Sequence, residues 1–331
     1  MFTSLSWRPL VLASSCTVAM VAATLATVPS EGLVDRVEAR LPQSTPELAT
    51  HEMRLPDEGG TPLAAQHPDP GGVAACDEGG SDEVITLDDD GAPGGQRPLW
   101  VHRPQGPDSA DLPVLYLLHG AASTHVTLME QGLGPLLDRE MCRTGVEFVV
   151  AAPHGQEPGG ATTEWADAAD GSFGLESFVT GDAVEAVEGE HARHRNLRAI
   201  GGFSMGGYGA ANLALRNTEL YTQAASFGGY FSADDPHGVL GDDTDGHSPD
   251  RLLDHGGADD LRFVLVEGDE EHPAARGGGV RGEAERFAGL LEGRGMTVAT
   301  DHPDGGHDFD TWKSSVPTVV DFLAAGWAAS P

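Results

Sequence analysis

The stretch "RAIGGFSMGGYGAANLAL" (Arg198–Leu215) joins an apolar run to an alanine- and leucine-rich run through five glycines and one serine. Within it, residues 202–206 (GFSMG) fit the G-x-S-x-G pattern, in which a serine occupies a sharp turn between a strand and a helix. The small flanking residues of that pattern let the strand and the helix approach closely. A chain with 45 glycines can contain such a pentapeptide by chance, so other segments must supply the rest of a site.

The regions around this turn alternate between strand-like and helix-like patterns. Continuous apolar runs that end near a glycine are typical of strands buried on both faces, and here they are LPVLYLLHG (112–120), VEFVVAAPHG (146–155), LRAIGGF (197–203), QAASFGGYF (223–231) and LRFVLVEGD (261–269). Helical spacing occurs in residues 176–193, 205–217, 283–295 and 316–327. Two earlier strands are predicted at 82–88 and 97–104. This alternation predicts an α/β fold, a mainly parallel sheet with helices on both faces.

In such a sheet the chemistry gathers at the carboxyl ends of the strands, where Ser204 is predicted to lie. A serine nucleophile needs a base, an acid that orients the base, and two donors for the oxyanion. Met205 would donate its backbone N–H from the start of a helix, and Ala121, directly after LLHG, would supply the second donor. The base is expected late in the chain, where "DHPDGGHDFDTW" contains His302 and His307. His307 follows two glycines and is the predicted base, whereas His302 is interpreted as a strand end.

The acid is predicted in the turn that follows the strand RFVLVEG. Glu271, three residues after Gly268, is the first choice and Asp269 is the alternative. The aspartate-rich fragments near Asp88 and Asp242 resemble pieces of calcium loops, but they lack the spaced ligands and final glutamate of an EF-hand loop. They are interpreted as solvated acidic loops, so no metal and no organic cofactor is expected.

Six ordered segments resemble the esterase D and mycolyltransferase-type family of α/β-hydrolases: LPVLYLLHG, LESFVTGDAVEAV, RAIGGFSMGGYGAANLALRN, AASFGGYF, VLVEGDEE and PDGGHDFDTW. The resemblance implies an α/β-hydrolase fold and a serine hydrolase that acts on carboxylic esters. It assigns the triad to Ser204, Glu271 and His307 and the oxyanion donors to Ala121 and Met205. The chain departs from the pattern at residues 181–182, where relatives often carry Glu-Leu, and in having glutamate where the family commonly has aspartate. The substrate branch therefore stays open.

Charge is the most unusual bulk property of the chain. The 331 residues include 52 acidic and 19 basic residues, a formal net charge of −33. Such a surface disfavours nucleic acid and anionic lipid as partners, because both carry negative charge. It also repels itself unless salt screens it, which suggests a halophilic source; a high-GC genome that encodes an acidic secreted protein is the alternative. Mean hydropathy of −0.23 excludes a polytopic membrane protein.

The N-terminal region indicates export. Residues 10–28 carry no charge, which predicts that 1–30 form a signal peptide or an N-terminal membrane anchor. An acidic Pro/Gly-rich spacer is predicted at 31–80, and the catalytic domain at 81–331. Cys76 and Cys142 remain once the leader with Cys16 is set aside, and whether they pair is left open by the sequence.

The resulting expectation is a secreted or extracytoplasmic serine esterase whose partners are small-molecule, carbohydrate or lipid esters. Membrane anchoring would involve the N-terminal segment only. An acyltransferase that passes the acyl group to a sugar or lipid hydroxyl would need the same triad, so the sequence does not separate the two. The third hypothesis is a non-catalytic cell-surface binding protein with the same fold.

Overall fold

An eight-stranded sheet is the centre of the described chain. The computed structural model describes Cys76 and residues 79–105, 110–121, 123–157, 162–233, 235, 237–255, 257–271 and 282–329. All of them belong to one unit, Leu63–Pro331. The strands are β1 (Ser81–Asp88), β2 (Gln96–Arg103), β3 (Val114–Leu118), β4 (Val149–Pro153), β5 (Arg198–Phe203), β6 (Gln223–Phe227), β7 (Arg262–Val266) and β8 (Thr297–Asp301).

The sheet follows the order β1-β2-β4-β3-β5-β6-β7-β8. β1 and β2 form an antiparallel hairpin, and β2 pairs antiparallel with β4. From β4 to β8 every neighbouring pair is parallel. The mainly parallel α/β sheet predicted from the alternating pattern is therefore confirmed.

Helices lie in the crossovers between the parallel strands, and two more follow β8. They are α1 (His125–Glu130), α2 (Leu133–Thr144), α3 (Leu175–Ser177), α4 (Ala183–Glu188), α5 (Met205–Arg216), α6 (Pro249–Leu252), α7 (Glu283–Glu292), α8 (Phe309–Ser314) and α9 (Val316–Ala328). A π-helical stretch, Phe178–Asp182, joins α3 to α4, so the helix predicted at 176–193 is present as a composite segment, but it ends at Glu188, five residues before the predicted end. Short 3-10 turns lie at Pro93–Gly95, Arg195–Leu197, Asp245–His247 and Leu253–His255.

Two apolar layers cover the two faces of the sheet. Successive side chains of a strand point to opposite faces, so in β3 Tyr116 packs with the layer of α3–α5 and α7, while Leu115 and Leu117 pack with that of α2 and α9. All five residues of β3 are buried. Burial on both faces explains why the parallel strands read as continuous apolar runs rather than alternating ones.

A disulfide joins Cys76 to Cys142 in α2, with the two Cα atoms 4.9 Å apart. The bridge attaches a residue that lies ahead of β1, within the predicted spacer, to the helical layer on one face of the sheet. The predicted leader at 1–30, and the spacer apart from Cys76 and residues 79–80, lie outside the described residues. Among the described helices, none has both the length and the apolar character needed to cross a membrane.

Candidate active site

Ser204 lies in the sharp turn between β5 and α5. Its backbone has φ 56° and ψ −116°, in the left-handed half of conformational space that a residue with a side chain rarely adopts. The flanking glycines make this turn sterically feasible. A Cβ atom at Gly202 would collide with the carbonyl of Gly206, and one at Gly206 would collide with that of Leu118. The strand–turn–helix context that the G-x-S-x-G pattern requires is therefore present around Ser204.

A hydrogen-bonded chain of side chains connects Ser204 to a buried carboxylate. His307 Nε2 lies 2.8 Å from Ser204 Oγ, and His307 Nδ1 lies 3.1 Å from Glu271 Oε2. Glu271 is fully buried, and its other carboxylate oxygen accepts the N–H of Gly268 at 3.2 Å. The three predicted residues thus come together from the turn after β5, the turn after β7 and the loop after β8.

Asp269, the alternative acid, occupies a different position. Its carboxylate accepts the backbone N–H of Gly305 at 3.0 Å, and its own N–H donates to the carbonyl of Pro303 at 3.0 Å. These bonds tie the turn after β7 to the loop that carries His307. His302 lies exposed just beyond β8, as its interpretation as a strand end requires.

Glycine and tryptophan fix the position of the imidazole. Gly228 has φ 59°, and an added Cβ there would lie 3.0 Å from ring atoms of both His307 and Trp312. The Trp312 ring packs edge-on against the imidazole, with ring centroids 4.8 Å apart. The histidine is therefore confined between a turn without a side chain and an indole, while its side chain keeps 36% exposure.

The loop after β3 places a rigid peptide beside the serine. Gly120 packs against Ser204, because a Cβ at Gly120 would lie 3.3 Å from the serine Cβ. The Gly120 carbonyl is held by His119 Nδ1 at 2.9 Å and by the N–H and hydroxyl of Ser123, both at 3.1 Å. Ala121 follows in this loop and lines the same pocket as Ser204, and Met205 is the first residue of α5.

His119 is a residue of this site to which the sequence analysis gave no role. It is fully buried, and burial lowers its pKa to about 3, so the ring is neutral at physiological pH. Because Nε2 accepts the N–H of Gly155 at 2.8 Å, the single ring proton must lie on Nδ1, where it is donated to Gly120. Its place in LLHG, two residues before the predicted donor Ala121, was the available signal.

An open pocket of about 450 Å³ adjoins Ser204 and His307. Three aromatic side chains, Phe203, Phe309 and Trp312, contribute to its lining and pack against one another with ring centroids 5.1 to 5.6 Å apart. Gly120, Ala121, Ser123 and Thr127 also line it. A pocket of this size and mixed lining suits a small organic molecule. Phe309 and Trp312 lie in the quoted motif PDGGHDFDTW, although the sequence alone did not single them out.

The acidic loops give no sign of a cation site. Within the part of the chain that the structure describes, no group of three or more His, Cys, Asp or Glu side chains is arranged to hold a metal ion. Asp89, from the aspartate-rich turn after β1, instead pairs with the guanidinium of the buried Arg97 at 2.5 Å.

Comparison with known proteins places the chain in a family. The family model described as "Putative esterase" matches residues 91–323. No curated protein matches the chain. Among solved structures, a ferulic acid esterase is 20% identical with a TM-score of 0.63, covering 75% of this chain and 99% of its own. An S-formylglutathione hydrolase from Agrobacterium tumefaciens is 21% identical with a TM-score of 0.61, covering 75% and 96%.

A third similar structure is the fluorophosphonate-binding serine hydrolase F of Staphylococcus aureus, 17% identical with a TM-score of 0.60, covering 74% of this chain and 99% of its own. At these identities the solved structures show a shared fold. The family match shows family membership as well as fold, since it spans well over half of the chain. The chain belongs to this esterase family, and it is a carboxylic ester hydrolase with the α/β-hydrolase fold.

Proposed function

We propose that the protein is an exported serine esterase that cleaves small carboxylic esters through an acyl-enzyme, with Ser204, His307 and Glu271 as its triad. The observation that carries the proposal is the continuous hydrogen-bond chain from Ser204 Oγ through both nitrogens of His307 to the buried Glu271. A serine, a base and an orienting acid in this relation are what acyl transfer by serine requires.

Acylation begins when His307 Nε2 accepts the proton of Ser204 and the serine oxygen attacks the ester carbonyl carbon. Glu271 accepts a hydrogen bond from Nδ1–H throughout, so the lone pair of the neutral ring lies on Nε2, and the negative carboxylate stabilises the imidazolium that forms. The tetrahedral intermediate carries its negative charge on the former carbonyl oxygen. When that intermediate collapses, the C–O bond to the alcohol breaks and His307 returns the proton to the leaving oxygen.

The oxyanion is bound by the backbone N–H groups of Ala121 and Met205. Met205 begins a twelve-residue helix, and the positive end of the helix dipole lies at that terminus. Donors fixed in the folded state need no reorganisation as charge develops, and this makes such sites effective. Water then attacks the acyl-serine carbonyl, with His307 as base, and releases the acid and free Ser204.

The proposed location outside the cytoplasm rests on two observations. Residues 10–28 are uncharged and apolar as an export segment requires, and the Cys76–Cys142 disulfide is typical of an oxidising compartment. The substrate is proposed to be a small-molecule ester, supported by the aromatic pocket beside Ser204. Fractionation of expressing cells, with N-terminal sequencing of the mature protein, tests export and decides between cleavage and anchoring.

The enzymatic proposal is tested with Ser204→Ala beside Ser232→Ala, a control at an exposed serine. Loss of a serine nucleophile lowers turnover by about 10⁶-fold, and it also abolishes labelling by a fluorophosphonate probe. The Ser232 variant should match the wild type in both assays. Activity of a folded Ser204→Ala protein within tenfold of wild type would overturn the assignment of the nucleophile. A wild-type protein that shows neither activity nor labelling would favour the hypothesis of a non-catalytic binding protein. Product analysis with added alcohol acceptors separates hydrolysis from acyl transfer.

A further inference from the structure

The side chain of Gln156 contacts the loop that carries the proposed oxyanion donor. Gln156 lies in the loop after β4, and its Nε2 donates to the backbone carbonyl of Ala121 at 2.6 Å. The two residues are 35 positions apart in the chain, so the contact depends on the pairing of β3 with β4. Gln156 is half-buried and does not line the pocket beside Ser204 among the described residues.

The loop that presents Gln156 is anchored on both sides of it. The buried guanidinium of Arg97 donates to the carbonyl of His154 at 2.9 Å and to the carboxylate of Glu157 at 2.8 Å. Between these points, Gly155 donates to His119 and accepts the hydroxyl of Thr163 at 2.9 Å. Because the backbone on both sides of Gln156 is held, its side-chain amide is positioned at a small cost in conformational entropy.

The bonds to Gly120 and Ala121 fix two successive peptide planes. In a trans peptide the C=O and the N–H point in opposite directions. The donors on the Gly120 carbonyl, from His119 and Ser123, therefore set the direction of the Ala121 N–H. Gln156 holds the next peptide, whose carbonyl belongs to Ala121. With the planes on both sides of its Cα held, Ala121 has little freedom to rotate its N–H away.

We infer that Gln156 is a positioning residue for the oxyanion hole, acting on the reaction through Ala121. This inference rests on the proposed function, because it assigns Gln156 a task only if Ala121 binds an oxyanion. A loop that loses this bond still binds substrate, but its donor samples directions that fit the transition state poorly. The effect should appear in kcat more than in KM.

The test compares Gln156→Ala with Gln131→Ala, which removes a half-buried glutamine whose partner is Lys313. Loss of an oxyanion donor costs about 10²–10³ in kcat, so a misaligned one should cost about 10- to 100-fold. KM should stay within about threefold, and an arylboronic acid, which forms a tetrahedral adduct on serine, should bind more weakly in proportion to kcat. Gln131→Ala should resemble the wild type.

A second variant, Gln156→Glu, gives a readout that a merely structural residue would not move. An ionised carboxylate can only accept hydrogen bonds and repels the Ala121 carbonyl, whereas its protonated form regains one donor. The ratio of variant to wild-type kcat should therefore rise as the pH falls towards about 4.3, the ordinary pKa of glutamate. A flat ratio, or Gln156→Ala kinetics that match those of Gln131→Ala, would overturn this inference alone. Absence of turnover and probe labelling in the wild type would overturn the proposed function as well.

Discussion

Exchange of the carboxylate of Glu271 for an amide should inactivate the enzyme while leaving it folded. In the structure one oxygen of Glu271 accepts from Gly268 and the other from His307 Nδ1. Glu271→Gln keeps one acceptor, which the Gly268 N–H occupies, and turns an NH₂ group towards the imidazole. Two donors would then face each other, and the ring proton moves to Nε2. A ring protonated there cannot accept the proton of Ser204.

The equivalent change in a serine protease triad lowers kcat by about 10⁴, which corresponds to about 5 kcal/mol of transition-state stabilisation. We expect a loss of this order, because Glu271 is fully buried and solvent cannot stabilise the His307 imidazolium in place of the lost carboxylate. Asp269→Asn is the matched control, since it makes the same carboxylate-to-amide change two residues away. The asparagine carbonyl can still accept the Gly305 N–H, so at most about 1 kcal/mol, less than tenfold in kcat, is at stake.

The assay is the turnover of an activated ester by the wild type and both variants, with circular dichroism to confirm folding. A Glu271→Gln enzyme with kcat within tenfold of wild type would refute the assigned role. An Asp269→Asn enzyme that loses the larger share of activity would move that role to Asp269.

Two further predictions concern the conditions under which the fold is stable. A net charge of −33 makes the folded chain repel itself, and salt at 1 M, with a Debye length of about 3 Å, screens this repulsion. The melting temperature should therefore rise with the concentration of potassium chloride. A melting temperature that does not change with salt would count against salt adaptation. The pKa of His119 in the folded protein, about 3, lies below the ordinary value of 6.5. The neutral histidine therefore contributes fully to the free energy of unfolding above pH 6.5. This contribution declines as the pH falls towards 3, by up to about 1.4 kcal/mol per pH unit. Urea unfolding across this range should show a shallower slope for His119→Asn, and equal slopes would exclude the histidine as the cause.

The parallel core was predictable because its strands are buried on both faces and leave an unbroken apolar pattern. Three of the elements that were missed, β8, α1 and α2, lack such a pattern. β8 is a five-residue, half-exposed edge strand, and the sequence predicts only its end, next to His302. The region of α1 and α2 gave no helix prediction. α2 follows a left-handed Gly132 that offers no side-chain cap, so the usual N-cap signal is missing.

The site shows the same division between local and long-range information. The position of Ser204 follows from a local turn, and His307 is singled out by two adjacent glycines. The choice between Glu271 and Asp269 depends on how one tight turn rotates two neighbouring side chains, and spacing alone does not determine that rotation. The bond from Gln156 to Ala121 depends on two loops that meet only because β3 and β4 are paired. No pattern within either loop predicts it.

The bridge from Cys76 to Cys142 affects how the protein must be produced. A truncated chain that begins at Ser81 would keep every strand and the proposed triad, yet it would leave Cys142 without its partner. Synthesis in a reducing cytosol would have the same effect on the full chain. In both cases the constraint on the intervening 66 positions is lost, which chain-entropy arguments value at about 4 kcal/mol. Expression with the residues before β1 retained, in an oxidising compartment, is therefore the route to the cross-linked enzyme.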